Sequence, residues 1–390
     1  MSLRSVLRCI FILGTLLLGS CSVLDYFKFN KDDEDLKPKE LSEISEEVSL
    51  RSIWSVNVGS GQGTKFNRLK PALTRDRIFA ASNDGLVLAV DLESGRTLWR
   101  QELDDVITGG VGQGNDLVLV GTENSRVIAL AADTGEILWD TTVTSEVLSA
   151  PATDGRVVVV QSVDGTLTGL NAQTGAQLWL YESTVPDLSL RGTSSPLIVD
   201  NFVVAAFANG SVASLALDNG TLRWDQRVAI PTGRSEIDRL VDIDGDIVLN
   251  DDNVLLVPAY QGYLAAIDAA TGQTRWRVEE SSSVGAGFGF GNIYAVTDED
   301  TVRAYRTTQE TPMWENPDLF LRRLSPPLGF SNYVAVGDFE GYVHLLSQVD
   351  GRFVGRTKVD GDGIRARMLS QGGILYVFGN SGKLVALRVQ

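Results

Sequence analysis

All seven tryptophans of this 390-residue chain fall in one repeated frame. Five read Gly-x-x-x-Trp: Gly95 with Trp99, Gly135 with Trp139, Gly175 with Trp179, Gly220 with Trp224, and Gly272 with Trp276. Trp314 has Glu310 at the glycine position, and Trp54 stands alone near the start of the repeats. Successive tryptophans lie 45, 40, 40, 45, 52 and 38 residues apart. A period of about 40 residues predicts one four-stranded blade of a β-propeller per repeat. The constant register gives the tryptophans one structural job, docking between adjacent blades, rather than a shared role in stacking a ligand.

Each repeat contains the strands this requires. Residues 77–83 and 86–92 are rich in strand formers, and Asp84-Gly85 between them suits a tight hairpin. The same hairpin position recurs at Asn124-Ser125, Asp164-Gly165, Asn209-Gly210, Gln261-Gly262, Glu299-Asp300, Glu340-Gly341 and Ser381-Gly382. Pro71, Pro151, Pro196 and Pro327 mark starts of opening strands, where a missing N–H is tolerated. These hairpins predict an all-β, eight-bladed propeller. The seventh repeat has Gly355 where its tryptophan belongs, and the eighth ends at Gln390 without an outer strand. Trp54, in contrast, lies in an outer-type strand (51–58) with no blade before it. Pairing that strand with the C-terminal blade closes the ring and protects its edges. Seven blades would leave Trp54 unexplained.

The N-terminus carries an address. Arg4 and Arg8 precede a short apolar run ending in Leu18-Gly19-Ser20-Cys21. This is the pattern of a bacterial secretory signal with a lipobox, in which Cys21 becomes the first mature residue and carries lipid. Ser22, in place of aspartate, favours the outer membrane. Cys9 leaves with the signal, so the folded part has no disulfide. Residues 22–50 are polar and acidic and read as a flexible tether reaching about 30 Å. The predicted division is signal peptide over 1–20, lipidated Cys21 with tether over 21–50, and propeller over 51–390. The formal net charge of −16 argues against nucleic-acid binding.

Catalytic chemistry finds little support. The one histidine, His344, lies in a predicted strand and reads as structural. Gly59-Ser60-Gly61-Gln62-Gly63-Thr64-Lys65 lacks the core of a phosphate loop. The glycine-rich run 285–291 falls where the sixth repeat needs its first strand, not at a dinucleotide site.

Two insertions break the repeat and must lie in loops on a face of the ring. The first, 185–192, sets Leu188 and Leu190 beside Arg191, apolar anchors next to a cation capable of bidentate pairing. The second, 233–246, is dominated by acids, including Asp242, Asp244 and Asp246. These three match the opening ligand spacing of a calcium loop. However, Ile247 replaces the glycine at position six and Asn253 the glutamate at position twelve, so no metal is assigned.

Taken together, the lipobox, the eight repeats, Leu188-Ser189-Leu190-Arg191-Gly192, Glu236-Ile237-Asp238-Arg239-Leu240 with Asp242-Ile243-Asp244, and Glu340-Gly341-Tyr342-Val343-His344 with Asp350-Gly351-Arg352-Phe353 resemble the BamB family. The resemblance spans essentially the whole chain. It implies a non-enzymatic lipoprotein scaffold of the β-barrel assembly machinery (BAM complex), held at the periplasmic face of the Gram-negative outer membrane. It further implies binding to the periplasmic POTRA domains of BamA and help in folding and inserting outer-membrane proteins, with unfolded outer-membrane proteins as further possible partners. Carried over position by position, the partner-binding residues are Leu188, Leu190, Arg191, Asp242 and Asp244. After Asp244 the family pattern continues with small or hydroxyl residues and a proline; here Gly245-Asp246-Ile247 follows. The rival reading is a quinoprotein dehydrogenase, which resembles this chain in its tryptophan repeat and binds pyrroloquinoline quinone at the propeller centre. Those enzymes are longer and typically carry adjacent cysteines over the quinone. The folded part here has no cysteine, and no cofactor is assigned. A generic envelope scaffold with another partner is the third reading.

Overall fold

Strands separated by tight turns run from residue 50 to the C-terminus in the computed structural model, which describes residues 37–390 except 233, 236 and 308. The signal segment, Cys21 and the first part of the tether lie outside the described residues. The chain divides into Met1–Lys39 and Glu40–Gln390. The second unit holds eight four-stranded antiparallel sheets. Seven are made of consecutive strands, over residues 72–102 (blade 1), 107–142, 152–182, 197–227, 248–279, 286–316 and 328–358 (blade 7). Blade 8 takes Leu369–Gln371, Ile374–Phe378 and Lys383–Val389 from the C-terminus. Its outer strand is Leu50–Asn57, paired antiparallel from Leu50 opposite Val389 to Asn57 opposite Lys383.

The burial of each strand follows its position. The second strand of a blade is covered on both faces by neighbouring blades, so Val157–Gln161 is buried at every residue and reads as a continuous apolar run. The outer strand faces water along one edge, and in Gln177–Glu182 only Trp179 is buried. The core is therefore a set of layers between blades. One layer joins Leu119, Val127 and Trp139 of blade 2 to Val158, Val160 and Leu170 of blade 3.

Each tryptophan docks on the following blade. The indole N–H donates to a backbone carbonyl there: Trp54 to Leu92, Trp99 to Ala132, Trp139 to Ala172, Trp179 to Leu217, Trp224 to Ala269, Trp276 to Thr307 and Trp314 to Gln348, at 2.7–3.2 Å. The repeat glycine serves the preceding tryptophan rather than its own. Gly95 lies against Trp54, Gly135 against Trp99, Gly175 against Trp139, Gly220 against Trp179, Gly272 against Trp224 and Gly351 against Trp314; a methyl group at any of the six would come within 3.0 Å of the ring. Glu310 breaks the pattern next to Trp276, and a hollow of about 690 Å³ opens there, lined by Trp276, Phe288, Ile293 and Glu310.

The junction between blades 7 and 8 has no tryptophan, and the segment before the closing strand covers it. The N–H groups of Glu47 and Val48 both donate to Val354 O. The Val48 carbonyl lies where a side chain at Gly355 would have to go. Leu41 and Val48 pack on the adjoining cores, and Arg352 pairs with Glu47. The tether expected over 22–50 therefore does not extend to residue 50, because 41–49 lie on the propeller. His344 belongs to the same junction. It is buried, its Nε2–H donates to Asp338 at 3.0 Å, and its Nδ1 accepts from Arg356 at 3.1 Å. Arg356 also donates to Ser42 O.

Steric docking of glycine under tryptophan is separable from backbone strain. Gly135 and Gly373 share a φ of 76°, but only Gly135 has a neighbour, with a methyl group falling 2.6 Å from Trp99 Cε3. Gly373→Ala should lower stability by about 1 kcal/mol. Gly135→Ala should lower it by at least about 2 kcal/mol more. Chemical denaturation of both variants checks this, and equal losses would refute the docking account.

Candidate functional site

Within each blade the chain runs out along four strands in alternating directions. The second-to-third turns and the blade-to-blade links therefore share one face of the ring. Both insertions are such links. They leave the outer strands Gln177–Glu182 and Leu222–Arg227 and so lie side by side on that loop face.

The acidic insertion underlies the leucine-arginine loop. Asp242 is 1% exposed; its Oδ2 accepts from Leu190 N at 2.8 Å and its Oδ1 from Ile243 N at 2.8 Å. Asp244 is 5% exposed and abuts Gly192, where a methyl group would fall 2.6 Å from its carboxyl carbon. Arg191 projects at the surface and makes a bidentate pair with Glu146, at 2.8 and 3.0 Å, from the link between blades 2 and 3. Leu188 is 42% exposed. The five residues expected to act together are thus brought together, but in two layers. Leu188 and Arg191 face solvent with Leu190 half-buried between them, whereas Asp242 and Asp244 are buried and brace the loop from beneath. Both aspartates, expected among the partner-binding residues, are therefore placed to act through the loop and not at its surface. Glu146 escaped the sequence reading because it lies 45 residues from Arg191 in an otherwise regular link.

The Asp242 and Asp244 carboxyls lie against each other while Asp246 turns away, and among the described residues no three His, Cys, Asp or Glu side chains converge to hold a metal. Burial, then the charge of Asp244, pushes the Asp242 carboxyl up to about 8 against the pull of the Leu190 and Ile243 N–H groups. Burial also raises Asp244, opposed by the charge of Arg68. Asp246 turns towards the ring axis, pairing with Lys70 and accepting from Ser195 N at 3.1 Å. Burial would raise it, but Lys70 and Arg367 outweigh that and hold its carboxyl well below the usual range. Segments entering seven of the blades converge on this axis and leave a hollow of about 30 Å³, lined by Arg68, Lys70, Asp246 and Arg367 among others. That is the space of about one water, too small for a three-ring quinone.

The raised pKa of Asp242 gives the loop brace a pH signature. Between about pH 4, where an ordinary carboxyl ionises, and about pH 8, the folded chain keeps a proton that the unfolded chain has released. This contribution to stability is complete below the lower limit and is lost as pH rises through the upper one. Asp242→Asn carries no charge and keeps an acceptor for Leu190, so its melting temperature should fall less than wild type between pH 5 and 8. Asp242→Ala leaves the Leu190 N–H unpaired and should lower stability by about 1–3 kcal/mol at pH 5. Identical pH slopes for wild type and the asparagine variant would show an ionised carboxylate throughout.

Known proteins resemble the chain over the same span. The family described as "Outer membrane protein assembly factor BamB" matches residues 83–316. A protein of that name from Pseudomonas aeruginosa is 58% identical over 357 residues, covering 92% of this chain and 94% of its own. The crystal structure of BamB from Moraxella catarrhalis superposes with a TM-score of 0.80 at 30% identity, over 87% of this chain and 99% of that one. The quinohemoprotein alcohol dehydrogenase of Comamonas testosteroni, at 14% identity and a TM-score of 0.69 over 87% of this chain and 76% of its own, shares the propeller fold alone. With the family match covering more than half of its length and a relative of this identity spanning nearly all of it, the chain belongs to the BamB family of outer membrane protein assembly factors.

Proposed function

We propose that this protein is a non-enzymatic scaffold in the outer-membrane β-barrel assembly machinery, and that its loop face docks the periplasmic POTRA domains of BamA. The observation that carries the docking reading is the braced loop. Leu188, Leu190 and Arg191 are displayed on a backbone whose Leu190 N–H is held by the buried carboxyl group of Asp242, so little conformational freedom is lost on binding. Leucines beside an arginine combine buried area with a directional charge contact. Arg191 meets the partner with its guanidinium already oriented by Glu146. Asp242 and Asp244 act through the loop they support. The lipobox supports a lipid anchor at Cys21, holding the protein at the periplasmic face of the outer membrane with the polar residues after it as a spacer.

The contact is tested by titrating the purified propeller with the BamA POTRA fragment. Arg191→Ala should weaken binding by about 2 kcal/mol or more, with an unchanged thermal melt because the residue lies outside the blade strands. Full affinity in the Leu188, Leu190 and Arg191 triple alanine variant would move the site elsewhere. For the anchor, Cys21→Ala should transfer the protein from the outer-membrane fraction to the soluble periplasm or leave it unprocessed. Wild type recovered wholly in the soluble fraction would remove the lipid from the account.

A further inference from the structure

The loop face carries a second hollow, away from the leucine-arginine loop, over blades 6, 7 and 8 and the link into blade 1. Its volume is about 410 Å³, within the range of about 300–1,000 Å³ typical of ligand sites. Three arginines border it: Arg68, Arg323 and Arg365. Elsewhere on the surface, Arg77, Arg126, Arg156, Arg275 and Arg352 each pair with a carboxylate. Around this hollow none of the three does so among the described residues; Arg68 donates to Ser283 O at 2.8 Å, and Arg365 to Asn380 Oδ1 and Lys65 O. The Arg323 side chain makes no hydrogen bond to the described residues. In a chain of net charge −16, such a cluster does not follow from composition. The cations also act on one another: burial, then the charges of Arg68 and Arg323, pushes Arg365 down.

Three acids also line the hollow and the charge of Arg323 acts on Asp300, but among the described residues no carboxylate accepts from the three guanidinium groups. Asp300 accepts from the N–H groups of Arg323 and Leu324 at 2.7 and 2.8 Å, holding Arg323 at a φ of 52°. Asp298 accepts from the Ser281 hydroxyl and from Ser283 N. Asp362, at the rim, is the one lining acid not engaged in this way among the described residues. Each guanidinium offers five N–H groups, so most of the donors at the hollow have no acceptor among the described residues.

Two aromatic rings complete the surface. Phe66 is 50% exposed, with Arg68 and Arg365 lying 5.3 and 5.0 Å from its centroid. Phe339 is 38% exposed and backed by Arg322 at 4.9 Å. An occupant must therefore bring hydrogen-bond acceptors with negative charge, together with apolar or aromatic surface.

We propose that this hollow binds an extended polypeptide segment bearing carboxylate and aromatic side chains. A carboxylate pairs with Arg323 and Arg365, the backbone carbonyls accept from the remaining guanidinium N–H groups, and an aromatic side chain packs on Phe66 and Phe339. A phosphate or lipid headgroup fits less well. It would leave both rings without a partner, and its higher charge would meet Asp298 and Asp362. The site is separate from the leucine-arginine loop, so a bound segment and a partner domain can occupy the loop face together.

The test is fluorescence polarisation of the full propeller with dye-labelled peptides. One is Gly-Asp-Phe-Glu-Tyr-Gly, and its counterpart has lysine at both acidic positions. The acidic peptide should bind saturably and weaken as salt is raised, and the lysine peptide should not bind. Arg323→Ala with Arg365→Ala should weaken binding at least tenfold, and Phe339→Ala should weaken it severalfold. Arg323 and Phe339 are exposed, so their single variants serve if the double variant melts early. The Leu188, Leu190 and Arg191 triple alanine variant should bind the acidic peptide as wild type does. Any of four results overturns the proposal: no saturable binding, equal binding of the two peptides, full binding by the arginine variants, or loss of binding in the leucine-arginine loop variant. Arg323-dependent capture of vesicles containing anionic lipid, without peptide binding, would assign the hollow to headgroups instead.

Discussion

The ring depends on one contact, an indole set on a glycine of the next blade, which recurs at six of its eight junctions. A propeller blade is a small sheet that cannot bury both faces alone, so its stability comes from its neighbours. The tryptophan supplies a large apolar body and a single N–H, and the next blade supplies a carbonyl for the N–H and a residue without a side chain for the ring. Seven of the eight junctions carry the indole-to-carbonyl bond, and six of these also have the glycine beneath the ring. Removing such a ring would forfeit about 3–5 kcal/mol, a large fraction of a typical domain's net stability. Trp54 shows why the arrangement has to close. It lies on the first strand of the chain, belongs to the last blade and docks on Leu92 of the first.

Much of this was legible in the sequence because it repeats. Glycine and tryptophan at fixed spacing, with hairpin dipeptides between, define blade number and register before any contact is known. What the repeat concealed is the direction of the contact: Gly135 and Trp139 share a motif, yet Gly135 serves Trp99 of the blade before. Non-repeating features were harder to read. The segment before residue 50 is acidic and reads as tether, and only Leu41 and Val48 mark its docking. That docking exists because Gly355 stands where a tryptophan is missing; the gap is visible in sequence, but its occupant, the Val48 carbonyl, shows only in three dimensions. Asp242 and Asp244 look like solvated acids in sequence, and burial beneath a loop 52 residues away gives no local signal.

The loop face concentrates the chain's unusual electrostatics. Raised carboxyls lie beneath the leucine-arginine loop, a salt bridge fills the axis, and arginines without carboxylate partners border the second hollow. Arg68 connects these regions. Its charge lowers the penalty on Asp244, raises the one on Arg365, and lines both the axial space and the hollow. Among the described residues the opposite face has no comparable collection of buried charge.

The segment at 41–49 also determines how the molecule bears load. Tension on the chain at Glu40 meets the contacts of Arg356 with Ser42 and of Arg352 with Glu47 first. The paired N–H groups on Val354 come next along the chain. Only after these yield does the force reach Leu50–Asn57, the strand that keeps the ring shut. The junction without a tryptophan thus works as a strain relief, with a sequence of weak, re-formable contacts shielding the closing strand from pulling at the N-terminal end.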